Sequence, residues 1–129
     1  KDKTRAAREI LPSSVPLATV VEQMGSFASL VIGILRKDAG LIGRGVSGDA
    51  IVEPARSRLI PGFYDVKRAA ISSGAYGCSI SGAGPSVFAL CPAGRGGEVA
   101  EAMASKFADV GVRSKSIVGS CGREGTVVV

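Results

Sequence analysis

The chain has 129 residues, 46% hydrophobic and 21% charged, which excludes a disordered chain and fits one domain, expected over residues 1–129, with a real core. Sixteen Lys and Arg against eleven Asp and Glu leave a net charge of +5. The basic residues are scattered and no aromatics interleave with them, so nucleic-acid binding is not expected, and an anionic small molecule explains the excess equally well. Histidine is absent, which removes a Ser-His-Asp triad, a Cys-His dyad and any His-based metal site from this chain. Cys78, Cys91 and Cys121 form no CxxC and read as reduced, buried thiols in an intracellular compartment, with Cys78 a packing residue. No stretch reaches about 18 uninterrupted apolar residues, so no membrane span is expected. Lys1 reads as an internal or processed start, and the chain is expected to be a fragment.

In chain order, Thr4 can cap a short helix over residues 5–10, stopped at Leu11-Pro12. Pro16 suits the first turn of a long helix in which Leu17, Val20, Val21, Met24, Phe27, Ala28, Val31 and Leu35 recur at spacings of three and four. That apolar face is either core or a dimer face, and core is the default. Asp38 can cap a third helix through Leu41 and Ile42. Residues 49–54 read as another turn or two ending at Pro54, and residues 56–62 as a loop closed by Pro61-Gly62. A helix is predicted over residues 63–73, with Gly74 placed to stop it. The period then shortens: residues 76–80 and 86–90 read as strands. A helix carrying Val99, Met103, Phe107 and Val110 follows, and residues 112–118 and 126–129 read as two closing strands. Helices mixed with a small, mostly antiparallel sheet predict an α+β two-layer domain.

The segment that joins the two central strands, Ser81-Gly82-Ala83-Gly84-Pro85, can carry chemistry. Glycine permits positive φ and leaves no Cβ in a ligand's way. Successive amides in such a turn can form an anion-binding concavity, with the Ser81 hydroxyl beside it. A plain tight hairpin uses the same residues.

The wider stretch Gly74-Ala-Tyr-Gly-Cys-Ser-Ile-Ser-Gly-Ala-Gly-Pro-Ser86 resembles the third conserved motif of the GHMP small-molecule kinases, in the form that homoserine kinases use. Two further segments resemble that family in the same order: Thr4-Arg-Ala-Ala-Arg-Glu-Ile-Leu-Pro12, and the Asp49-x-Ile-x-Glu-Pro-x-Arg56 signature followed by Leu-Ile-Pro-Gly62. The likeness implies a ferredoxin-like GHMP kinase C-terminal domain and a parent that phosphorylates the hydroxyl of L-homoserine with ATP and Mg²⁺, on the route to threonine. By motif position it maps Arg8 and Arg56 to the substrate carboxylate, which a guanidinium fork matches with paired bonds. Thr4 is a helix cap first and a substrate hydrogen bond second. Ser81, Gly82, Ala83 and Gly84 are implied to lie near the transferring phosphate. Glu53 and Asp49 either pair with an arginine of the site, receive the substrate ammonium, cap a helix or face water. Arg5 and Arg58 are the nearest decoys.

The family's ATP-binding loop, Pro-x-x-x-Gly-Leu-Gly-Ser-Ser-Ala, does not occur in this sequence. Such a loop cradles phosphates at a helix N-terminus, so ATP and Mg²⁺ are expected to be held mainly by an N-terminal kinase half. The isolated chain is expected to be inactive, and no catalytic base and no metal ligand is assigned within it. The resemblance leaves two other readings open: a stand-alone amino-acid-binding regulatory module without catalysis, and a GHMP kinase for a different alcohol. A homodimer is compatible with the long apolar helix. Cytoplasm or plastid stroma both suit reduced thiols.

Overall fold

The computed structural model describes residues 3–120 and residue 122. Six α-helices, a 3-10 turn and two strands follow in the order α1 (Lys3–Glu9), α2 (Leu17–Arg36), α3 (Ala39–Ser47), α4 (Val52–Arg56), the 3-10 turn (Ser57–Leu59), α5 (Phe63–Ser72), β1 (Gly77–Ile80), β2 (Val87–Leu90) and α6 (Gly96–Asp109). The strands pair antiparallel, with Gly77 opposite Leu90 and Ile80 opposite Val87. Helices pack on this small antiparallel sheet, as the sequence pattern predicts.

Alternate residues of a strand face opposite sides, and β1 is buried on both. Cys78 is inaccessible and joins Ala70 of α5, Ala75 and Val99 of α6 in the core, with Met103 and Val87 against them. On the other face a Cβ at Gly77 would lie 2.5 Å from the Gly43 carbonyl oxygen, and a Cβ at Gly43 only 1.8 Å from that of Tyr76. Glycine on both sides is what lets the backbone of α3 rest on the backbone of the strand. The opposite side of α3 takes α2 equally closely, since a Cβ at Gly33 would meet the Ile42 amide at 2.6 Å.

The signals for starts and stops work where they are local. Asp38 caps α3, its Oδ1 accepting from the Leu41 amide at 2.9 Å, and Gly74, at φ 92, ends α5. α2 ends with Lys37 in the left-handed region (φ 55). The Lys37 amide donates to Ile34 at 3.2 Å and the Asp38 amide to Gly33 at 2.9 Å, the paired closure of a helix C-terminus that usually has glycine there.

Several expectations change. Thr4, expected to cap α1, lies inside it, because the helix begins at Lys3. Pro54 does not end a helix: it is the third residue of α4, where a missing N–H costs nothing. The expected loop from Arg56 is therefore helical as far as Leu59. Residues 112–118, expected as a strand, form no ladder among the described residues. Residues 114–119 instead lie across β2 and α6, lining with Phe88, Met103 and Phe107 a cavity of about 230 Å³. The strand expected over 126–129 lies outside the described residues.

α2 is long and apolar enough, by length and composition alone, to cross a bilayer. The apolar face expected as core is instead outward in this chain: Leu17, Val21, Met24, Phe27 and Leu35 are each more than half accessible, because α3 packs on the opposite side. The inward face of α2 seats Ser26, Leu30 and Gly33 against α3.

Candidate functional site

Arg56 sits at the end of α4 and joins the three segments that the sequence singles out. Its Nε donates to the Ala7 carbonyl of α1 at 3.1 Å, and its Nη1 donates to the Gly82 carbonyl of the glycine-rich turn at 2.9 Å. Residues 49 and 26 positions away in the chain are thereby fixed to one side chain. The Nη2 group and the second N–H of Nη1 donate to no protein acceptor among the described residues. Those donors, the two N–H groups of Nη2 among them, are what the guanidinium can offer a carboxylate or phosphate oxygen.

The glycine-rich turn is closed by two backbone bonds, Ser81 N–H to the Ser86 carbonyl at 2.8 Å and Gly84 N–H to the Ser81 carbonyl at 3.0 Å. Gly82 and Gly84 have φ of 58 and 77, and the Gly84-Pro85 peptide is cis. Among the described residues the amides of Gly82 and Ala83 donate to no protein acceptor. Positive φ beside unspent amides is the arrangement of an anion-binding nest. Ala83, Gly84 and Pro85 also line an apolar cleft of about 250 Å³ with Ala6, Leu59 and Ile60. The cleft therefore lies between α1, the 3-10 turn and the glycine-rich turn, the same three segments that Arg56 ties together.

Arg8 is exposed in α1, next in sequence to the Ala7 carbonyl that Arg56 holds. Among the described residues no hydrogen bond joins Arg8 to Arg56. Thr4 lies one turn earlier on α1, and Ser81 is exposed at the mouth of the turn. Arg5 pairs with Glu9 at 2.8 Å on the surface, and Arg58, like Arg8, is exposed.

The carboxylates take neither arginine nor open space. Asp49 is a cap: its Oδ1 accepts from the amides of Ile51 and Val52 and its Oδ2 from that of Glu53, at 2.8–3.0 Å. Glu53 is 4% exposed. Lys67 Nζ donates to its Oε1 at 2.5 Å, and the Ser79 hydroxyl to its Oε2 at 3.0 Å. Both oxygens are thus engaged inside the protein. Sequence spacing missed Lys67, Ser79 and Ser47, because a partner across elements leaves no period in the chain. Cys78 is a packing residue, and burial pushes its thiol up to about 11. Among the described residues no group of three or more Cys, Asp or Glu could hold a metal.

Residues 30–109 match the family of GHMP kinases C terminal. The chain belongs to the GHMP kinases. Within this family, the homoserine kinase of Methanocella arvoryzae is 46% identical over 120 residues, which are 93% of this GHMP kinase chain and 40% of that protein. The homoserine kinase of Chlorobium phaeobacteroides (strain DSM 266) is 50% identical over 106 residues, 81% of this chain and 33% of its own. That of Halorubrum lacusprofundi is 42% identical over 97% of this chain and 42% of its own. The crystal structure of homoserine kinase from Cytophaga hutchinsonii superposes with a TM-score of 0.79 at 47% identity, covering 86% of this chain and 35% of that one. This GHMP kinase chain thus spans less than half the length of the relatives it matches.

Proposed function

We propose that this domain is the acceptor-binding half of a kinase that transfers the γ-phosphoryl group of ATP to the hydroxyl of L-homoserine, on the route to threonine. The observation that carries this reading is Arg56, anchored by two backbone carbonyls with the N–H groups of Nη2 left over. Anchoring removes rotamer freedom before the substrate arrives, so less is lost on binding. Those N–H groups take the amino-acid carboxylate, with Arg8 and Thr4 closing on it from α1. The adjoining apolar cleft suits the short methylene chain. Ser81 and the amides of Gly82 and Ala83, with Gly84 shaping the turn, face the transferring phosphate, where charge must be stabilised.

ATP and Mg²⁺ would be held mainly by an N-terminal kinase half, and no residue of this chain is assigned as base. The apolar outward face of α2 supports the presence of a further protein layer, for which that half is the occupant we favour over a homodimer partner. The same reading predicts no turnover by this chain alone. The relatives support a cytoplasmic setting and give no support for a plastid stroma.

The test is steady-state kinetics of the full-length kinase with Arg56→Ala and Arg8→Ala. Loss of a charge-assisted pair worth about 1.5–3 kcal/mol raises the homoserine KM about 10- to 100-fold. An unchanged KM in both variants refutes the assignment.

A further inference from the structure

Helix α4 is only five residues long, too short to hold its own shape or place in water. Something else must aim Arg56. The first turn of α4 is tied down by Glu53, whose carboxylate takes Lys67 of α5 at 2.5 Å and Ser79 of β1 at 3.0 Å. Lys67 donates in addition to the Ser47 carbonyl at the end of α3, at 2.8 Å, and Ser47 Oγ accepts from the Cys78 amide at 3.1 Å. The aromatic ring of Phe63 lies 6.0 Å from the Lys67 ammonium. Four elements (α3, α4, α5 and β1) therefore meet at one buried ion pair, two residues before the glycine-rich turn begins.

A buried pair is a poor source of net stability, because desolvation offsets most of the attraction. A role in fixing geometry is the better-attested use of such pairs. Here the geometry it fixes is specific. Glu53 and Arg56 are one turn apart on α4, so Glu53 holds one end of the helix to α5 through Lys67 and to β1 through Ser79, while Arg56 holds the other end to Gly82.

We propose that the Glu53–Lys67 pair, with Ser79, positions Arg56: it sets the angle at which the remaining guanidinium N–H groups meet the acceptor carboxylate. Glu53, Lys67 and Ser79 are positioning residues and touch no substrate. The inference rests on the reading of Arg56 as the carboxylate fork.

The test uses Ser79→Ala, Glu53→Gln and the apolar pair Glu53→Leu/Lys67→Met. In this 129-residue chain, the readout is hydrogen exchange at the Arg56 Nε–H, observed by ¹⁵N NMR. In the full-length kinase it is the homoserine KM against kcat. The apolar pair keeps the melting temperature within a few degrees, yet Nε–H exchange accelerates at least tenfold. The homoserine KM rises at least fivefold, with kcat changing less than twofold. Ser79→Ala gives the same pattern with a smaller amplitude. Wild-type Nε–H exchange and wild-type KM in the folded apolar pair overturn the proposal. Arg56→Ala separates the two layers: if it leaves KM unchanged, the carboxylate fork is wrong and the positioning role falls with it. If it raises KM while the network variants do not, only the positioning role falls.

Discussion

Gly43 and Gly25 are both helix-interior glycines, and the structure predicts opposite outcomes for the same substitution. At Gly43 an added Cβ would sit 1.8 Å from the Tyr76 carbonyl oxygen and 2.3 Å from its carbon. Ordinary contact begins at 3.4 Å, so α3 must retreat from β1 by about 1.5 Å. A gap of only 0.5–1 Å already forfeits about a quarter to a half of each dispersion contact. The retreat also presses α3 into α2, where Gly33 leaves no slack. Overpacking against backbone, which cannot rotate away, costs about 3 kcal/mol or more. That is a large part of the roughly 5–15 kcal/mol that holds a domain together. With a urea slope of about 1.5 kcal/mol/M, the Gly43→Ala midpoint falls by about 2 M. At Gly25 a Cβ meets nothing within 4 Å, and Ala gains about 0.5–1 kcal/mol of helix propensity. Its midpoint rises by about 0.5 M. Urea melts of the two variants followed by circular dichroism decide the matter. A Gly43→Ala midpoint within about 0.3 M of wild type refutes the close-backbone seat of α3.

The other predictions concern the ends of helices and a thiol. Lys37→Gly relieves the left-handed backbone at the end of α2 and stabilises by about 0.5–1 kcal/mol, read as a higher melting temperature. Asp49→Ala strips three accepted amides from the start of α4 and destabilises by about 1–2 kcal/mol, whereas Asp49→Asn retains most of that. Burial raises the Cys78 thiol from 9.0 to about 11. Below pH 9 the thiol is neutral in both states and its contribution is whole; as pH rises towards 11 the unfolded chain ionises first and stability falls, by about 2–3 kcal/mol in total. Cys78→Ala flattens that part of the pH profile, and native Cys78 resists alkylation at pH 8.

What the sequence revealed was mostly local. The three- and four-residue spacing placed α2, α5 and α6, and Asp38 and Gly74 marked the start of α3 and the end of α5, because caps act within a turn. Pro54 misled, since the same ring that ends a helix interior is harmless in a first turn, and position within the turn was not fixed by local pattern. Residues 112–118 carry the β-branched Val112, Ile117 and Val118, but a strand exists only where a partner edge accepts it, and no described residue supplies one. At the candidate site the resemblance pointed to Arg56 and the glycine-rich turn. The carbonyls of Ala7 and Gly82 that hold Arg56 were invisible, as backbone acceptors carry no residue signature. Glu53 was open to an arginine, a substrate ammonium, a helix cap or water, and folding gave it Lys67 instead, 14 residues along the chain.

The most direct measurement joins this chain to the N-terminal remainder of the Methanocella arvoryzae homoserine kinase and follows homoserine-dependent ADP release with ATP and Mg²⁺. The account predicts turnover by the joined protein, a homoserine KM raised at least tenfold by Arg56→Ala, and no turnover by the 129-residue chain alone. A folded, joined protein that releases no ADP in response to homoserine, or clear turnover by the chain by itself, would contradict it.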